Sequence, residues 1–455
     1  MSATAQSADR AKTKSGETAP PLDASSSRAQ GGADRPAGSA AEVFWVFLRL
    51  GLTSFGGPVA HLGYFREEFV RRRRWLSDEA YADLVALCQF MPGPASSQVG
   101  LGVGLSRAGG LGALAAWTGF TLPSAIALIL FAYGLGAFGG AEGAGWIAGL
   151  KAAAVAVVAL AVWGMAGSLA PDRARGGLAL GAAALMLLTP FAASRLGVDA
   201  ASGAAAIMLG QIAVIALGAG IGLVFFRGLV APPAASDAAG GLSIPISRRV
   251  GAVSLVVFFA LLIGLPWLAA SVGSETGALA MLDAYFRAGA LVFGGGHVVL
   301  PLLEASTVDP GWVSEDAFVA GYGAAQAVPG PLFTFAAFLG AAAEPSPTGA
   351  LGGALALVAI FLPSAFLVVG LLPFWASLRA YAPARAALTG VNAAVLGLLI
   401  AALYDPVFTS GVDGPATAAL ALLCGLALGP WRAPPWAVVI GAALAGAGLG
   451  AVGAL

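Results

Sequence analysis

Two stretches of this sequence share an unusual punctuation. Cys88–Gly100 reads CQFMPGPASSQVG and Ala325–Ala337 reads AQAVPGPLFTFAA, each an apolar run broken by Pro-Gly-Pro. Proline removes a backbone donor and clashes with the preceding helical turn. The residue before it is pushed out of helical geometry. Pro92-Gly93-Pro94 therefore ends one helix near Gln89 and lets another begin near Ala95, and Pro329-Gly330-Pro331 does the same after Gln326. A helix start presents backbone N–H groups without intrahelical partners and the positive end of the dipole, which together attract anions. Ser96, Ser97 and Gln98 add polar donors to the first elbow, whereas the second offers Thr334 and is otherwise apolar.

Other residues could join this chemistry. FGGP (55–58) and FGGGH (293–297) read as a second pair of breaks, built on Gly56, Gly57 and Pro58 and on Gly294 and Gly295. Arg49, Lys151 and Arg287 lie within apolar segments, where an ionisable group is costly and therefore a functional candidate. The two histidines, His61 and His297, sit just past the Phe-Gly-Gly breaks and could relay protons near neutral pH. Each has a structural alternative: close glycine packing, arginines that snorkel or fix helix ends, and histidines that only hydrogen-bond. Cys88 and Cys424 are far apart in apolar sequence and read as inert buried thiols. No metal cluster, phosphate loop or nucleophile constellation is present, so neither an enzyme nor a cofactor protein is expected.

The elements that must position these residues belong to a membrane. Of 455 residues, 58% are hydrophobic and 10% charged, against about 25% charged in soluble domains. Mean hydropathy is +0.86. Apolar stretches such as 110–138, 145–170, 250–272 and 347–378 reach the ~20 residues that span a bilayer, and they must be helical to satisfy their own backbone. The zero net charge gives nucleic acid no purchase. Residues 1–40 lack aromatic residues and an apolar centre, so a disordered cytoplasmic tail is expected there.

The chain also repeats itself. WLSDEAYADLVALCQFMPGP (75–94) lies over WVSEDAFVAGYGAAQAVPGP (312–331), and FLRLGLTSFGG (47–57) over YFRAGALVFGG (285–295), while Pro123-Ser124 answers Pro363-Ser364. Two homologous repeats, 41–227 and 277–455, flank a linker plus one extra helix at 228–276. That extra crossing would invert the second repeat. The charges agree: the loop after the first break holds Arg71 to Arg74, and its counterpart holds Glu304, Asp309, Glu315 and Asp316. Basic short loops stay inside, so an inverted-topology repeat with broken or re-entrant helices is expected, all-α and multi-pass. Whether 41–60 and 77–107 cross or re-enter stays open. Paired interrupted helices in two halves point to a transporter's substrate site, and both elbows are expected at a shared central cavity.

With these residues in view, the sequence resembles the chromate ion transporter family in its long two-domain form. The resemblance rests on Phe-Gly-Gly-Pro, then WLSDEAYADLVALCQFMPGPASSQVG, and on a second copy in the C-terminal half, departing at Gly296 where the first copy has Pro58. It covers nearly everything beyond residue 40. It implies efflux of chromate across the inner (plasma) membrane and chromate resistance, with sulfate uptake or exchange as the alternative. The residues it carries over are Arg49, Gly56, Gly57, Pro58, Gln89, Pro92, Gly93, Pro94 and Gln98, then Arg287, Gly294, Gly295, Gln326, Pro329, Gly330 and Pro331. The partners implied are the oxyanion and lipid, and a homodimer stays open.

Overall fold

A computed structural model describes residues 38–453 except 56, 138–144, 196–199, 229–243, 245, 272–276, 294–295 and 345. Nearly all of the expected tail, most of the linker, and Gly56, Gly294 and Gly295 lie outside the described residues. Those described form helices and no strand.

The first half runs α1 (Ala40–Thr53), α2 (Gly57–Phe65) with a π-helical extension to Arg72, α3 (Asp78–Phe90), α4 (Ala95–Ala137), α5 (Gly145–Leu169), α6 (Arg173–Arg195) and α7 (Ala200–Phe225). α8 (Arg248–Ser271) stands between the halves. The second half runs α9 (Ala278–Leu291), α10 (Val299–Thr307), α11 (Glu315–Ala327), α12 (Phe335–Ala342), α13 (Gly349–Leu371), α14 (Trp375–Ala380), α15 (Ala382–Ala402), α16 (Thr409–Gly411), α17 (Pro415–Leu428) and α18 (Pro435–Ala451). Five helical stretches among the described residues are long and apolar enough to cross a membrane: 95–137, 145–169, 248–271, 349–378 and 382–411. α4 is two helices joined at Ala108 and Gly109, which leave helical geometry. This is where the sequence reading separates 77–107 from 110–138.

The repeat is visible element by element. α1 and α9 have 14 residues each, and α3 and α11 have 13 each. Ser77 and Ser314 cap the latter pair, accepting from Ala80 N and Ala317 N. Acidic first turns follow, Asp78-Glu79 and Glu315-Asp316, which suits the positive helix end.

The two halves exchange helices. α5 packs on α17 and α18 of the second half, and α15 packs on α6 and α7 of the first. Small residues make both contacts. A Cβ on Gly149 would collide with the Ala442 carbonyl, and one on Gly390 would collide with the Gly218 carbonyl. Without a hydrophobic force between helices in lipid, such close backbone approach supplies the packing. Two aromatic groups fill the interior, Phe47, Phe65, Phe69 and Phe120 in the first half and Phe318, Phe335 and Phe338 in the second. Trp163, Leu130, Trp267 and Leu422 remain exposed on the outer faces, as helices in lipid should leave them.

Candidate functional site

Each elbow docks on the opposite half. The Gly93 N–H donates to the Val292 carbonyl at 2.6 Å, and the Gly330 N–H donates to the Ser54 carbonyl at 2.9 Å. Val292 and Ser54 end α9 and α1, immediately before the two Phe-Gly-Gly breaks. Both elbow glycines have left-handed backbones, φ +118° at Gly93 and +99° at Gly330, a region that glycine enters without a Cβ penalty. The space is also closed. A Cβ would lie 2.5 Å from Ser364 Oγ at Gly93 and 2.9 Å from Ser124 Oγ at Gly330. The matched Pro-Ser pairs of the sequence are therefore the seats of the elbows, each in the other half.

The breaks meet as well. A Cβ on Gly296 would lie 3.2 Å from Pro58 Cγ, so the departure at Gly296 sits where the two copies touch.

The first elbow carries the polar groups. Gln98 is fully buried and its Nε2 donates to the Pro92 carbonyl at 2.6 Å. His61 Nε2 lies 3.1 Å from the Ser54 carbonyl, which can only accept, so Nε2 carries the proton. In the neutral ring Nδ1 then accepts from the Ser96 hydroxyl at 3.4 Å. Ser54 Oγ, Ser97 Oγ, Gln98 Oε1 and Thr121 Oγ1 are buried with no hydrogen-bond partner among the described residues. Unpaired buried polar groups are rare in folded proteins and call for an explanation.

A cavity of about 390 Å³ opens beside the second elbow, lined by Gly57, Pro58, His297, Gln326, Gly330 and Arg432 within a wall of α5 and α17–α18 residues. Gln326 Nε2 is buried with no hydrogen-bond partner among the described residues, so it offers a donor. His297 Nδ1 shares a hydrogen bond with the buried Tyr322 hydroxyl. Arg432 holds a left-handed backbone, φ +51°, an uncommon geometry outside glycine. Among the described residues, no acidic one lines this space. A cation, an amide donor and two helix breaks facing a void suit a small anion.

The expected residues divide accordingly. Gly57, Pro58, His297, Gln326 and Gly330 line the cavity. Pro92, Gly93, Pro94, Ser96, Ser97 and Gln98 form the first elbow, which docks on the second half instead of opening on that cavity, so the single shared cavity expected from sequence is not what forms. Pro329 and Pro331 flank Gly330, with Pro331 buried. Gln89 is exposed at the end of α3, and Arg49 is exposed on α1. Arg287 closes on Asp283 of its own helix at 2.6 Å. Lys151 reaches Asp316 at 2.7 Å, tying α5 to α11. Arg432 lies in no repeated motif, and Ser54, although inside FLRLGLTSFGG, is matched by the apolar Val292 in the second copy, so neither stood out in the sequence.

The comparisons with known proteins point one way. The family described as Chromate transporter matches residues 41–273 and 279–447. The chain is 27% identical over 380 residues to the chromate transport protein of Pseudomonas aeruginosa, covering 80% of each. It is 27% identical over 405 residues to that of Cupriavidus metallidurans, covering 84% of this chain and 86% of the relative. A probable chromate transport protein of Synechococcus elongatus is 25% identical over 426 residues, 90% of this chain and 96% of its own. No solved structure gives a significant match.

Proposed function

Because this chain belongs to the chromate transporter family, we propose that it is a secondary transporter exporting chromate across the inner (plasma) membrane and conferring chromate resistance. The observation that carries the reading is the cavity of about 390 Å³ where Gly57, Gln326, Gly330 and Arg432 converge from both halves. A water occupies about 30 Å³ of liquid, so a tetrahedral oxyanion fits with part of its hydration shell. Arg432 supplies the charge and Gln326 Nε2 a donor with no partner among the described residues.

The Arg71–Arg74 run supports a cytoplasmic N-terminal tail and first-break loop, and the extra α8 supports an outside position for the acidic loop at 302–311. Export of a dianion from an inside-negative cell is favoured by about 2.3 kcal/mol per charge per 100 mV. Alternating access then requires the docked elbows to part and re-form around the site. The units that move are not the sequence halves, because α5 and α15 are each packed into the other half. Sulfate uptake or exchange is the alternative, since the same donors suit any tetrahedral dianion.

The test is radiolabelled chromate movement in everted vesicles, with unlabelled sulfate as competitor, beside a Pro92→Ala/Pro94→Ala variant. Accumulation by the wild type and not by the variant supports export through the elbows. Chromate staying outside sealed vesicles that contain folded protein would overturn export. Strong competition by sulfate at equal concentration would favour the alternative.

A further inference from the structure

A second cavity, about 110 Å³, lies at the seam between the halves, where α6 and α7 meet α10 and α15. Glu304 and the exposed Asp309 and Asp405 line it together with Gln211, and the rest of the described wall is apolar, with no lysine, arginine or histidine among the described residues. Gln211 is only 3% exposed. Its Nε2 donates to the Pro301 carbonyl at 2.9 Å, and Pro301 lines the same cavity. Its Oε1 is buried with no donor among the described residues. The wall thus carries three carboxylates and a buried acceptor, and no cation among the described residues.

We propose that this cavity is a proton-binding site, in which Glu304 or Asp309, with the Asp405 carboxylate nearby, takes up a proton from the adjoining water and Gln211 Oε1 accepts from the O–H so formed. The proposal rests on the transport reading above and adds its regulating ion. Among the described residues, no group of three acidic, histidine or cysteine side chains is placed to hold a metal ion, so the carboxylates do not converge on one point and the proton sits on a single carboxyl. The proton adds to one carboxylate oxygen and returns to water when it leaves, so no other reactant is needed.

The surrounding charges do not neutralise the cluster. From α11 come Glu315 and Asp316, and Asp316 is already held by Lys151 of α5. From α9, on the other side of Gln211, comes Arg287, which is closed on Asp283. α6 and α7 add no charge to the wall. Asp309 is exposed on one side, and partial desolvation, then the nearby Asp405, push its carboxyl up to about 6. Burial, then Asp309, Asp405 and Glu315, hold Glu304 well above the ordinary range. The corresponding loop of the first half is the arginine run 71–74, so the site exists once per chain.

On the topology proposed above the cluster faces the exit side, where three carboxylates repel a departing dianion and protonation relieves the repulsion. Everted vesicles test this with the lumen buffered one pH unit below and one above the Asp309 value of about 6, the bath pH constant and the potential clamped. Chromate accumulation should be several-fold faster with the acidic lumen. That ratio should fall to about one in Glu304→Gln/Asp309→Asn and in Asp405→Asn. The second measurement needs no transport: infrared titration of the purified full chain should show a carboxylic-acid C=O band that appears near pH 6 and is lost in the variants. A band unchanged in the variants, or a flux that follows Na⁺ in place of pH, overturns the proposal. If chromate moves at no pH, the export reading fails, and the infrared band alone decides the proton site.

Discussion

Gly93 of the first half and Val292 of the second are joined by a 2.6 Å backbone hydrogen bond, and Gly330 and Ser54 repeat the bond in reverse. Two helix breaks that would be costly in lipid thus satisfy each other across the seam.

Gly93→Ala forces a side chain into φ +118° and against Ser364 Oγ. A strained backbone of this kind costs about 1–3 kcal/mol. The variant should melt several degrees lower in a detergent thermal-shift assay, and vesicle chromate flux should drop at least tenfold. A wild-type melting point with wild-type flux would show that the elbow needs no glycine.

Arg432→Gln should weaken chromate binding. Removing a single exposed cation from an anion site should raise KM about tenfold, near 1.4 kcal/mol, with a smaller change in maximal rate. Arg432→Lys should recover part of the loss. Flux kinetics at varied chromate measure both, and an unchanged KM in Arg432→Gln removes the residue from the site.

Glu68 makes a prediction about acid. Burial would raise its carboxyl, but the hydrogen bonds and charges of Arg73 and Arg72 outweigh this and leave it below the ordinary range. A carboxylate depressed in the folded state stabilises above its unfolded value, near 4.3, and that contribution is lost as pH falls through the folded value. Wild-type protein should therefore lose its melting-temperature advantage over Glu68→Gln as pH drops below about 4.3. Parallel melting curves from neutral to acidic pH would show the two lines converging; parallel lines would refute the assignment.

Lys151 and Asp316 form a pair whose side chains are 11% and 39% exposed. Breaking a fully buried pair costs about 3–5 kcal/mol, and solvent at Asp316 reduces this to about 1–2. Lys151→Met should destabilise by that amount, and Lys151→Met/Asp316→Asn should recover most of it. Without that recovery in thermal unfolding, the link between α5 and α11 is not electrostatic.

Much of this architecture was readable beforehand, for identifiable reasons. Proline and glycine act on the backbone locally, so Pro92-Gly93-Pro94 announced the gap between α3 and α4 to within a residue or two. The repeat made Ser77 and Ser314 readable as caps, because capping depends on the next three residues alone. What stayed hidden depends on contacts between distant segments. Nothing in the local sequence tells Lys151 that its partner is Asp316, or places Arg432 beside Gly57. The elbows were expected to share one cavity; they cross instead, because each elbow N–H finds its acceptor in the opposite half. The acidic residues at 304 and 309 were legible as a topology signal, while Gln211 and Asp405, which complete their cavity, carry no signature of their own.

The exchanged helices have a consequence for how the protein is made. α5 rests its Gly149 face on Ala442 of α18, 293 residues further along (442 − 149). At about 5–20 residues per second on the ribosome, that face waits roughly 15–60 s in the membrane before its partner is synthesised. For that interval the nascent chain holds an unsatisfied seam, open to membrane chaperones and proteases. The first half is therefore closed by α18, a helix that leaves the translocon long after α5.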